Sequence, residues 1–175
     1  MKKESLFVFL LLGSIITCLL NATPVSYDAE LHHLYALANK NLTYSSSIPD
    51  ERIIELCTKI EKQTRDAGDY DNMFRVQLIA VNSNCLKGAV GLAVSKAQQM
   101  YELARDLSSD LGKALAIQAM GITLMHSNES KQAYTAFLEA EDKLRNLNGD
   151  DLKMRLLIQQ MHVCTLLGKM GELQY

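Results

Sequence analysis

Apolar residues along this chain recur every three or four positions. In the stretch 111–126, Leu111, Ala114, Leu115, Gln118, Ala119, Ile122 and Met125 keep helical spacing. In 71–87, Met73, Phe74, Leu78, Val81 and Cys85 do the same. The pattern predicts helices near 28–42, 50–66, 71–87, 91–107, 111–126, 131–146 and 151–167. No long alternation of Val, Ile or Thr interrupts it, so no sheet is expected. Pro49 and Asp50 open the second helix after Ser45-Ser46-Ser47, and Asn128 with Ser130 marks the turn before the sixth. Asn tolerates the left-handed conformation that ends a helix.

The punctuation repeats. Arg65, Arg105 and Arg145 stand forty residues apart, each closing a helical stretch. Turn formers follow each one: Gly68-Asp69, Ser108-Ser109-Asp110 and Asn148-Gly149-Asp150. A basic residue in a last turn suits the helix dipole, so these arginines read as structural. Short links make neighbouring helices antiparallel, and a row of such hairpins stacks into a solenoid. The expected fold is therefore all-α: an α-solenoid of antiparallel hairpins with about seven helices.

The segment 114–147 resembles a tetratricopeptide repeat. Its first helix supplies Ile117, Met120, Gly121 and Leu124, and its second supplies Ala133, Phe137 and Ala140. The resemblance implies a right-handed solenoid. It places Gly121 at a close helix crossing with Ala133 opposite, and Phe137 in the gap toward the next hairpin. The unit before it, 78–111, keeps the second-helix spacing with Ala97, Tyr101 and Ala104, while Cys85 replaces the first-helix glycine. An earlier unit has Cys57 and Thr64 at the small positions and Glu61 at the aromatic one. In the last unit Met161 replaces the glycine, and Gly168 matches the turn. The resemblance covers roughly residues 50–175.

Composition agrees with helices: among the 175 residues, Leu, Ala, Met, Lys, Glu and Gln abound, two residues are Pro and none is Trp. The N-terminus changes the picture of location. Lys2 and Lys3 precede an almost unbroken apolar run from Leu6 to Leu20, followed by Leu20-Asn21-Ala22. Residues 1–22 are expected to be an export signal cleaved before Thr23, leaving 23–175 as the repeat domain. Two alternatives stay open: an uncleaved membrane anchor, for which the run is short, and a lipoprotein acylated at Cys18 after Ile15-Ile16-Thr17. The expected location is periplasmic or otherwise in the cell envelope. Without 1–22 the net charge moves from −2 to −3, with no basic cluster of the kind nucleic acid requires.

Little in the chain points to chemistry. Cys57, Cys85 and Cys164 are irregularly spaced among apolar residues and read as small packing residues; a Cys57–Cys85 bridge is an open alternative in an oxidising compartment. His32 and His33 are adjacent, so they point to different helix faces, which is poor ligand geometry. His126 and His162 are placed to approach across hairpins, but a solvent or groove position accounts for them equally. No phosphate loop, nucleophile elbow or Cys-x-x-Cys occurs. Glu139, Glu141, Asp142, Lys143 and Arg145 read as an ordinary solvated face. No enzyme activity, metal or cofactor is expected.

In tetratricopeptide arrays the first helices line a concave groove. Matching positions give three rows: Ile79, Asn82, Leu86 and Ala89; Leu115, Gln118, Ile122 and Met125; and Arg155, Ile158, Gln159, His162 and Thr165. The resemblance implies that a peptide docks there through apolar contacts, with Asn82, Gln118, Met125, Arg155, Gln159 and His162 as the candidate contacts. The competing reading is that several of these residues simply pack between hairpins. On the groove reading, Gln118→Ala with His162→Ala is expected to weaken binding and leave the fold intact.

Residues 168–175 read as a turn and the beginning of a second helix, with Leu173 where a small residue is expected. A solenoid needs a polar capping element, so the chain is expected to be truncated or to pair its open end with a partner. The expected function is a non-enzymatic protein- or peptide-binding domain. An export signal, a short helix over 30–38 and forty-residue units also look like the extracytoplasmic part of Bacteroidota sensor histidine kinases. That likeness implies a missing transmembrane helix and kinase.

Overall fold

The computed structural model describes residues 27–43, 50–145 and 147, and positions 153, 156, 157, 159–161, 163, 164 and 167. Side chains are described at these positions except 39–43 and 50. The expected export signal, Cys18, Arg155, Ile158, His162, Thr165 and 168–175 lie outside the described residues.

Six helices are described: α1 (Asp28–Thr43), α2 (Asp50–Asp66), α3 (Tyr70–Leu86), α4 (Val90–Asp106), α5 (Asp110–His126) and α6 (Ser130–Leu144). The described residues within 153–164 are helical too, and no strand occurs among the described residues. The chain has an all-α helical repeat fold, with bounds close to those the apolar spacing predicts.

From α2 to α6 every link is three residues long, and the middle residue always has positive φ: Gly68 (72°), Gly88 (84°), Ser108 (53°) and Asn128 (62°). The beat is thus one helix and turn every twenty residues. In each link the N–H after the left-handed residue reaches back to a carbonyl five residues earlier: Asp69 to Thr64, Ala89 to Asn84, Ser109 to Ala104 and Glu129 to Leu124, all at 2.8–2.9 Å. These bonds satisfy carbonyls that the helix end leaves open and turn the chain straight into the next helix. Side-chain caps reinforce two starts: Asp69 accepts from the Asn72 N–H and Ser109 from the Gly112 N–H.

A left-handed residue with a side chain is strained where glycine is not. Gly88 has open space where a Cβ would go, so Gly88→Ala should cost only the backbone term, about 1 kcal/mol. Ser108→Gly should raise stability by up to a similar amount, because the strain relieved outweighs the entropy glycine adds to the unfolded chain. Urea unfolding midpoints of the two variants, shifted in opposite directions, check this.

The helices form two rows. α3 packs against α2, α4 and α5, and α5 packs against α3, α4 and α6. These inner helices are buried nearly all round, whereas α4 and α6 bury one stripe each: Ala93, Ala97, Met100 and Ala104, then Ala133, Phe137, Ala140 and Leu144. One apolar cluster runs from Met73 and Phe74 through α4, α5 and α6 to Leu156 and Val163. A second joins Leu31, Leu34 and Ala38 of α1 to Ile53, Cys57 and Ile60 of α2 and Val76, Ile79 and Ala80 of α3. α3 belongs to both, which is why it is apolar around its circumference. Tyr27 Oη donates to Asp69 Oδ2 at 2.6 Å and Tyr35 Oη to Asn72 Oδ1 at 3.1 Å, tying α1 to the α2–α3 turn.

Burial along the outer row repeats residue by residue at a spacing of forty: the sequence of exposed, half-buried and buried positions over 51–60 recurs over 91–100 and 131–140. Buried partners in this register are Ile53, Ala93 and Ala133; Cys57, Ala97 and Phe137; Ile60, Met100 and Ala140; and Thr64, Ala104 and Leu144. This corrects the unit alignment drawn from sequence. The counterpart of Phe137 is buried Ala97, and Tyr101 is 40% exposed. The resemblance had set 78–111 one helical turn out of step with 114–147. A turn of helix returns nearly the same face, so apolar spacing alone does not distinguish the two alignments.

The contact at Gly121 differs as well. A Cβ there would lie 2.6 Å from Phe137 Cδ1. Phe137 therefore lies on the Gly121 backbone within its own hairpin, in the place expected for Ala133.

Candidate functional site

The residues expected to line a groove are mostly interior. Leu115, Gln118 and Ile122 are fully buried, Ile79 and Gln159 nearly so, and Asn82 and Met125 are half-buried. Leu86 is 49% exposed. Gln118 Nε2 donates to Gln159 Oε1 at 2.8 Å, a buried bond across 41 residues. It joins α5 to the 153–164 segment, which therefore continues the inner row. Gln118 and Gln159 are brought together as packing between hairpins, the competing reading of these positions. The physical reason is helix packing: the side chains that would face a groove meet the next inner helix first.

A second polar cluster bridges the outer row. Glu61 Oε1 accepts from Gln77 Nε2 at 2.7 Å and from Arg65 at 3.2 Å, while its Oε2 accepts from Lys96 Nζ at 2.7 Å. The Glu61 side chain is 15% exposed, so this bond between α2 and α4 is better shielded than the surface pairs. Gln77, 4% exposed, lies beneath the bridge. Sequence placed Glu61 at an aromatic repeat position and gave no hint of the clasp, since its partners lie 16 and 35 residues away.

Two hairpins on, at the position forty residues taken twice, stands Glu141. Its Oε2 accepts from Gln160 Nε2 at 2.9 Å, and the same Nε2 lies 3.4 Å from the Phe137 carbonyl. Here the surface opens into a cleft of about 280 Å³ lined by Glu141, Arg145, Lys153, Leu156, Leu157 and Gln160. Leu156 and Gln160 form a buried floor, while Leu157 is 44% exposed and Met161, one turn on, 51% exposed. The cleft thus has an apolar wall, two basic groups and a carboxylate already engaged by a carboxamide. Arg145 Nη1 lies 3.8 Å from Asp142 on an exposed face, a weak tie that leaves the helix-end role read for it intact. Glu141 and Arg145 were read from sequence as solvated surface, and Lys153 was not singled out.

Cys57, Cys85 and Cys164 are free and buried. Burial pushes the Cys57 thiol up to about 12, against the pull of the Lys96 ammonium, and Cys85 up to about 11. Both therefore stay protonated at neutral pH and act as small apolar fillers. The hydrogen bond to Asp69 raises the Tyr27 phenol to about 12. His32 and His33 are exposed. Among the described residues no three His, Cys, Asp or Glu side chains are grouped to hold a metal ion, and no described helix is long and apolar enough to cross a membrane. The chain matches no protein-family model, no curated protein and no solved structure.

Proposed function

We propose that this chain is an exported, tetratricopeptide-like interaction domain of the cell envelope, which holds a protein or peptide partner and carries out no reaction itself. The observation that carries this reading is the cleft beside α6, where Leu157 is 44% exposed although its equivalents Ile117 and Gln77 are buried. An exposed apolar side chain over a buried apolar floor, rimmed by Arg145, Lys153 and Glu141, has the make-up of a protein-docking surface. The repeat architecture supports it, because stacked hairpins build extended surfaces without an enclosed active site.

A peptide display library selected on the immobilised full chain tests the proposal. Enriched peptides should bind with dissociation constants on the order of micromolar, and Leu157→Glu should weaken them. A selection that enriches nothing with saturable affinity overturns it.

A further inference from the structure

Among the described helices, α1 packs closely on α2 alone, where α3 and α5 each pack on three. α3 and α5 are buried nearly all round. α1 buries one stripe, Leu31, Leu34 and Ala38, and leaves Ala29, His32, His33 and Ala36 exposed. Its apolar contacts belong to the second cluster, which shares no residue with the one that joins α4, α5 and α6. In a stacked array each element is held by its neighbours only. An element with one close neighbour and one buried stripe therefore opens at low cost.

Two hydroxyls tie α1 to what lies beyond α2. Tyr27 Oη donates to Asp69 Oδ2, and Tyr35 Oη, about two turns on, donates to Asn72 Oδ1. Asn72 Nδ2 donates in turn to the same Asp69 Oδ2 at 2.7 Å, so both phenols grip one connected pair. That pair is positioned without help from α1, because Asp69 also caps α3 through the Asn72 N–H. The ion pair of Lys59 with Glu30 lies on the surface and adds little.

We infer that α1 is a latched cap: it opens as a unit while α2–α6 stay folded, and the chain Tyr27–Asp69–Asn72–Tyr35 sets how often it does so. Opening bares the side of α2 that carries Ile53, Cys57 and Ile60, which share the second cluster with Leu31, Leu34 and Ala38. The forty-residue register puts Cys57 at the heart of this face. Its counterpart Phe137 lies on Gly121 in the helix just before its own, and for Cys57 the helix just before is α1. Cys85 has the opposite setting, in the first cluster, which contains no residue of α1. The two thiols are equally hidden in the closed fold, at 1% and 3% exposed, so their reactivities separate opening of α1 from opening of the whole.

The test is maleimide labelling of the full chain near neutral pH, with each cysteine assigned by peptide mass mapping and its rate taken relative to the urea-unfolded chain. Cys57 should label about tenfold or more faster than Cys85. Tyr27→Phe with Tyr35→Phe keeps both rings and removes both hydroxyls. It should speed Cys57 labelling by a further tenfold or so and leave Cys85 unchanged. Amide hydrogen exchange should agree, with residues 28–38 exchanging ahead of α3 and α5, and further ahead in the double variant. Cys57 and Cys85 labelling in step overturns the inference, because the fold then opens only as a whole. So does a rise shared by Cys85 in the double variant, or Cys57 labelling indifferent to the loss of both hydroxyls.

Discussion

Gly121→Val should destabilise the fold by roughly 2–3 kcal/mol, and Phe137→Ala by about 3–5 kcal/mol, yet the two together should cost less than Phe137→Ala alone. The first places a side chain where the Phe137 ring lies, since even a Cβ would come within 2.6 Å of Cδ1. The second empties the volume of a fully buried ring. Combined, the branched side chain grows into the space the ring leaves, and the pair becomes the one the chain already uses forty residues earlier, Val81 with Ala97. Residues in contact are not additive, so a double-mutant cycle by urea unfolding reads the coupling directly. Additive losses would mean that Gly121 and Phe137 do not share one site, and the register would fail with them.

Gln118→Ala should cost roughly 2–3 kcal/mol, whereas Gln118→Leu with Gln159→Leu should be neutral or stabilising. The single change removes a fully buried side chain and leaves the Gln159 carbonyl without its donor in the interior. The double change removes both polar groups at once and keeps most of the volume. It also removes Gln118 Oε1, which has no hydrogen-bond partner among the described residues. Thermal unfolding of the three proteins separates the cases; a double variant worse than the single would show that the carboxamides contribute more than they cost. The sequence reading expects Gln118→Ala, made together with His162→Ala, to leave the fold intact; the burial of Gln118 and its bond to Gln159 predict a cost for the Gln118 half of that pair. An exposed groove carboxamide is dispensable for folding, and a buried, bonded one is not.

The helices themselves were legible. Apolar residues at three- and four-residue intervals, punctuated by Gly68, Gly88, Ser108 and Asn128, fix where each helix begins and ends, because the left-handed link allows only one short reversal. Burial of the small residues Ala133 and Ala140 beside Phe137 was legible for the same reason: small residues at helical spacing mark a face that another helix approaches closely. The candidate groove was not. Composition cannot tell whether Gln118 faces a ligand or Gln159, because both environments accept a carboxamide, and the deciding partner lies 41 residues away. The cleft was hidden likewise, since Glu141 and Arg145 look like any charged helix end until Gln160 and Leu157 are brought beside them.

Local periodicity and turn chemistry, which act within a few residues, were enough to set the helices, their lengths and their antiparallel order. Which alignment of the repeats holds, which face of each helix is inner, and which apolar positions stay open were decided only when the helices packed. A helix rotated or slid by one turn presents almost the same pattern, and only the fit of Phe137 on Gly121, or of Lys96 on Glu61, selects between the alternatives.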